Sequence, residues 1–211
     1  MARLVPFMRA VTLLKKYGIP VAKSRVTWTS EECLRFSRET GYPVVLKLMS
    51  SQLIHKTDIG GVLMGLKSEE EVREGYERLQ ALAQTLKIKA EGVLIQEMAS
   101  GFEMIVGGKV DEQFGVVILV GFGGIYTEVY GDTSIRIAPI DEEEASRMVR
   151  ELKAYKILRG FRGKRANIEE LVGVIAKASR LMASEEIEEM DINPLFVNEK
   201  GAMAVDVRII A

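Results

Sequence analysis

The sequence predicts an α+β protein built as two lobes. Three observations carry this reading. Apolar residues at helical spacing flank one short, nearly continuous apolar run in the first 86 residues. From about residue 91 the texture changes to short apolar strands separated by Gly-rich turns. Two long helical patterns then precede a closing pair of strands. With 211 residues the chain can bury a sizeable core in one domain or two packed lobes. The change of texture puts the first lobe at residues 1–90 and the second at 91–211, without internal repeats or low-complexity tracts.

Taken in order, Phe7, Val11, Leu13 and Leu14 recur at helical spacing until Gly18 and Pro20 stop the pattern. Thr29-Ser30 followed by Glu31-Glu32 supplies a capping hydroxyl and an acidic first turn to a second helix, which ends at Gly41-Tyr42-Pro43. Residues 44–48, VVLKL, read as a buried strand that carries a lone cation, Lys47. A loop leads to a run at 62–66, and Ser68 with Glu69, Glu70 and Glu71 caps a helix reaching about Leu86. Strands follow at 92–97, 103–107, 115–120 and 134–138, with turns expected at Ser100-Gly101, Gly107-Gly108 and Gly121-Phe122-Gly123-Gly124. Helices are predicted over 141–158 and 168–183, and strands over 188–197 and 202–209 around a turn at 198–201.

Composition narrows the function. Against 30 acidic residues stand 29 Lys and Arg, for a formal charge of -1, so no field of one sign would draw the chain to nucleic acid or anionic lipid. No stretch approaches the roughly 18 consecutive apolar residues of a membrane span. One cysteine, Cys33, cannot form an internal disulfide, and the first residues lack the apolar run and cleavage site of a secretory signal. The expected compartment is the cytoplasm.

Three constellations could carry chemistry. Lys47 at a strand end precedes His55-Lys56-Thr57-Asp58-Ile59-Gly60-Gly61-Val62. A strand-end lysine and exposed loop N–H groups can hold phosphate oxygens, although Gly60-Gly61 equally suits a strand-entry turn. No Walker A pattern occurs. His55, the only histidine, sits in a polar loop where a neutral imidazole could act as nucleophile or simply face solvent. In the second constellation, Asp191 and Asn193 lie two apart on a strand and so share a face, and a paired strand could bring Asp206 beside them. Converging oxygens of this kind suit Mg²⁺ held with a nucleotide, or else a turn beside an edge-strand charge. The third is the strand ending Gln96-Glu97-Met98 with Glu103 after the turn, which could meet an adenine and a ribose or merely close two solvated strand ends. Tyr126 stands where a dinucleotide fingerprint needs glycine.

The ordered pieces LLKKYGIPV, GYPVVLK, HKTDIGGV, VLIQEM, GFEMIVGG, GFGGIYTEV, IRIAPI, KAYKILRGFRG, EMDINPLFV and AVDVRII resemble the ATP-grasp β subunit of ADP-forming acetyl-CoA synthetase, within the NDP-forming acyl-CoA synthetase family. The resemblance covers nearly the whole chain, and HKTDIGGV and DINP followed by AVD are its specific pieces. It implies an ATP-grasp fold of two lobes clasping a nucleotide. It also implies the reversible conversion of acyl-CoA, ADP and phosphate into acid, CoA and ATP, through a phosphohistidine formed on a CoA-binding α subunit.

By the same resemblance His55 would relay the phosphoryl group and Asp191 would orient the phosphohistidine. Lys47 and Lys56 would neutralise phosphates beside the Gly60-Gly61 turn, Glu97 and Met98 would flank adenine, Glu103 would take ribose, and Asn193 and Asp206 would ligate Mg²⁺. The implied cofactors are ATP/ADP and Mg²⁺. Two departures from the family pattern are present: the chain begins almost at LLKKYGIPV, and Phe122 stands where leucine is commoner, without the usual proline after FG. These residues include no CoA-binding domain, so the chain is expected to need its α subunit. A regulatory ATP-binding subunit and a different ATP-grasp ligase are the competing readings, and the presence of His55 weighs against both.

Overall fold

The computed structural model describes residues 3–50, 59–123, 131–161 and 163–211. It divides into a small unit, residues 22–98, and a large unit made of residues 1–21 and 99–211.

The small unit is a four-stranded antiparallel sheet with two helices against one face. Its strands are β1 (Ser24–Thr27), β2 (Val44–Met49), β3 (Val62–Leu66) and β4 (Gly92–Glu97), ordered β1-β4-β2-β3. Helix α2 (Ser30–Thr40) begins with a complete capping box, in which the Thr29 hydroxyl accepts from the Glu32 N–H and the Glu32 carboxylate reaches back. Helix α3 (Glu69–Thr85) is capped by Ser68, whose hydroxyl accepts from the Glu71 N–H. Alternation along the strands sends Val44, Leu46, Leu48, Val93 and Ile95 toward these helices, where they bury with Leu34, Phe36, Val72 and Leu79. Cys33 is fully buried in the same core, beside the Thr27 hydroxyl. Both ends of the unit are fastened together: the Glu97 N–H donates to the Lys23 carbonyl, and the Lys23 N–H donates to Glu97 Oε1 at 2.7 Å.

The large unit is built on a six-stranded antiparallel sheet. It contains β5 (Phe102–Asp111), β6 (Gly115–Phe122), β7 (Thr133–Ile137), β8 (Glu189–Asn198), β9 (Gly201–Ala204) and β10 (Val207–Ile210). The path runs β10-β8-β5-β6-β7, and β9 pairs with the far half of β8. Met104, Val106, Ile118, Val120, Met190 and Ile192 form one face of a core completed by α1 (Phe7–Lys16), α4 (Glu142–Glu151), α5 (Tyr155–Arg159) and α6 (Ile168–Ser184). The first residues lie along β10: Arg3 and Ala211 exchange backbone hydrogen bonds, and the Val5 N–H donates to the Ile209 carbonyl.

Three expectations need correction, and one strand had gone unread. The division does not fall at residue 90, because β4 is hydrogen-bonded between β1 and β2, and residues 1–21 belong with the large unit. Strand β1, which the sequence did not signal, is a four-residue edge strand without an apolar run. The helix expected over 141–158 breaks at Leu152–Ala154, where the buried Asp132 carboxylate accepts from the Lys153 and Ala154 N–H groups at 2.7 and 2.9 Å and starts a new helix. Gly107-Gly108 is no turn. It lies inside β5, which runs to Asp111, and the hairpin comes at 112–114, where Asp111 Oδ1 accepts from the Gln113 and Phe114 N–H groups.

Candidate functional site

In the small unit, Lys47 sits half-buried on β2 between Val62 of β3 and Leu94 of β4, on the face opposite the helices. The turn entering β3 is fixed by Gly60, whose φ of 73° lies in the left-handed region where a side chain would be strained, and by the Gly61 carbonyl, which accepts from the Leu48 N–H. The Gly60-Gly61 pair is thus a strand-entry turn at the same end of the sheet as Lys47. Glu97 ends β4 half-buried with one carboxylate oxygen engaged by Lys23, and Met98 beside it is 45% exposed. His55 and Lys56 lie outside the described residues.

In the large unit, Asp191, Asn193 and Asp206 come together. The register between β5 and β8 shifts between Met104/Leu195 and Val106/Ile192, so two strand steps on β5 oppose three on β8. The extra residue is a bulge at Asn193-Pro194, where proline could not have donated to the ladder in any case. Opposite the bulge, the chain between β9 and β10 bends around it: the Asn193 N–H donates to the Asp206 carbonyl and the Val205 N–H to the Pro194 carbonyl. The single strand expected at 202–209 is therefore two, broken where Asp206 must face Asn193.

Burial raises the Asp191 carboxyl above the usual carboxylate range, and the negative charges of Glu189 and Asp206 add to this; Arg208 and a hydrogen bond from the Asn193 side chain oppose it. An Asn193 amide that donates to Asp191 turns its oxygen elsewhere. Asp206 Oδ1 accepts from the Val207 N–H at 2.9 Å, which leaves its second oxygen for another partner. Among the described residues no cluster of three or more His, Cys, Asp or Glu side chains is arranged to hold a metal by itself. One carboxylate oxygen and one amide oxygen nevertheless suit Mg²⁺, which prefers few protein oxygens and completes its octahedron with water and phosphate.

Glu103 is exposed at the start of β5, across from Phe196, and its carbonyl accepts from the Gly123 N–H at 2.6 Å. Two charged neighbours of Asp191 went unmarked in the sequence: Glu189 on its own strand and Arg208 directly across on β10. Period-two alternation through Asp206-Val207-Arg208 is the signal that could have found the second.

The ATP-grasp domain model matches residues 3–211, so the chain belongs to the ATP-grasp family. Within that class it is similar to the β subunit of the ADP-forming acetate–CoA ligase I of Pyrococcus furiosus, with 47% identity over 95% of this chain and 89% of that one. The ADP-forming acetate–CoA ligase II of Archaeoglobus fulgidus is 43% identical over 94% of this chain, which spans 29% of its length. A solved structure of the dinucleotide-forming acetyl-coenzyme A synthetase 1 of Ca. Korarchaeum cryptofilum matches with a TM-score of 0.87 and 41% identity, covering 98% of this chain and 92% of that one. That structure holds coenzyme A and Mg-AMPPCP, with a phosphohistidine segment pointing towards the nucleotide-binding site. The fold class and family expected from HKTDIGGV and DINP are borne out.

Proposed function

We propose that this chain is the nucleotide-binding subunit of an ADP-forming acyl-CoA synthetase and passes a phosphoryl group between a histidine and ADP. The observation that carries the reading is the 47% identity to an acetate–CoA ligase β subunit over 95% of the chain. The convergence of Asp191, Asn193 and Asp206 at a strand bulge supports it.

In the direction of ATP synthesis, the CoA-binding α subunit delivers a phosphorylated histidine, whose P–N bond breaks as the His55 imidazole takes the phosphoryl group. The bond from His55 to phosphorus then breaks as a β-phosphate oxygen of ADP attacks, giving ATP and a neutral imidazole. Asp191 orients the imidazole, and Lys47 and Lys56 offset phosphate charge beside the Gly60-Gly61 turn. Glu97 and Met98 flank the adenine, mainly through backbone groups since one Glu97 oxygen is engaged, and Glu103 takes a ribose hydroxyl. Asn193 and Asp206 would hold Mg²⁺, which supplies charge neutralisation at the phosphates. The protein works in the cytoplasm, which suits its one buried, unpaired thiol.

The test is phosphorylation by labelled Mg-ATP with and without the cognate α subunit. The wild-type chain should take up an acid-labile, base-stable phosphate that His55→Asn lacks, and should turn over acyl-CoA only when α is added. A His55→Asn chain that labels and turns over like the wild type would sink the relay.

A further inference from the structure

β5 contains two adjacent glycines, and the structure gives a reason for only one of them. A Cβ on Gly108 would stand 2.6 Å from Met182 Cγ and 3.1 Å from its Sδ, so α6 can lie on the sheet only because that position is bare. Gly107 points the other way. Neither residue is among the glycines with positive φ, so conformation demands nothing at either position. Among the described residues a Cβ on Gly107 would meet only the Met190 carbonyl, at 3.5 Å, an ordinary contact. Valine would suit a strand better there, since glycine weakens a strand interior.

The space that Gly107 leaves has definite neighbours. In register, Gly107 stands across from Asp191, and Asp191 stands across from Arg208. One row across three strands thus reads bare backbone, carboxylate, guanidinium. Directly opposed residues of an antiparallel pair have Cβ atoms about 4.5–5.5 Å apart, so the Arg208 side chain reaches the rim of the same opening. Among the described residues, the other charges acting on Asp191 are Glu189 and Asp206, Lys109 lies across from Glu189 on β5, and Glu103 and Asp111 stand farther along the same face of β5. Arg208 makes no ion pair with them among the described residues. Its planar fork of donors therefore remains available to a ligand. Three carboxylates would repel an incoming phosphoryl group unless a cation stood beside them, and guanidinium binds such oxygens two at a time.

We propose that Gly107 and Arg208 form a seat for the terminal phosphoryl group of a nucleoside triphosphate: Gly107 leaves the room over Asp191, and Arg208 contacts the phosphoryl oxygens. This rests on the nucleotide-binding reading above. It separates ATP from ADP, since only the triphosphate carries the group that reaches the seat.

The experiment is equilibrium binding of labelled Mg-ATP and Mg-ADP to the purified chain, with melting temperature recorded for each variant. Arg208→Gln should weaken ATP at least about tenfold while ADP stays within a few-fold, as loss of a charge-assisted contact requires, and Arg208→Lys should recover part of the loss. Gly107→Val should fold and show the same selective loss. Asp191→Asn in the Arg208→Gln background separates contact from mere charge balance: direct contact leaves ATP binding weak, whereas recovery would overturn it. An unchanged ATP-to-ADP ratio in folded Arg208→Gln also overturns the proposal. Should Gly107→Val not fold, the space belongs to the fold and that half of the proposal fails, while the Arg208 variants decide the other. A wild-type chain that binds neither nucleotide overturns the nucleotide-binding reading and the seat together; retained selectivity in the variants overturns the seat alone.

Discussion

Asp206 has two oxygens in different circumstances. One accepts the Val207 N–H at 2.9 Å and helps to start β10, while the other is the one that would hold Mg²⁺ in the proposed site. Asp206→Ala should therefore cut phosphoryl transfer at least on the order of a hundredfold, through lost charge neutralisation, and lower stability only slightly. Turnover assays alongside calorimetric melting check this; near-normal turnover in a folded variant removes Asp206 from the site. At this scale the sequence was informative wherever chemistry follows period-two spacing. Asp191 and Asn193 could be placed on one face from their numbers alone. Arg208 could have been read the same way, but its partner Asp191 becomes visible only through the β8–β10 register. The glycines at 107 and 108 misled, because adjacent glycines signal a turn until the packing of Met182 against the sheet is known.

The elements read correctly were those with their own local signals. Caps at Thr29 and Ser68 and the acidic first turns that follow them set α2 and α3 with no help from the rest of the chain. The breaks were not legible, because each is imposed by a distant group. Asp132 ends one helix and begins another from 21 residues upstream of Lys153, and the Asn193-Pro194 bulge divides β9 from β10. Asp132→Ala would leave the Lys153 and Ala154 N–H groups without their carboxylate. Loss of these charge-assisted bonds should cost about 2 kcal/mol or more, visible as a lower midpoint in urea at constant m. An unchanged midpoint would mean that the helix break is written into residues 152–154 themselves.

For the molecule as a whole, the sequence supplied the family and the two-lobe plan but misplaced the seam, since texture changes at residue 91 while hydrogen bonding changes at 98. The small unit is one continuous piece of chain, whereas the large unit is assembled from its two flanks, with Arg3 and Val5 bonded to Ala211 and Ile209. This has a consequence for biosynthesis. As the chain leaves the ribosome, residues 22–98 can complete their own core, but residues 1–21 must wait for β10, which is made nearly 200 residues after them. Cys33 can report the order, because its thiol is fully buried and burial pushes its pKa up to about 11, so it should resist alkylation once the small unit closes. Stalled nascent chains with residues 1–98 fully emerged should already protect Cys33, while a cysteine placed at Ala10, which is fully buried in the large unit's core, should react at every length until residue 211 is out. Protection of both sites at one common length would mean that the two units close together, and that the flanks do not wait on the ribosome with their partner strand still unmade.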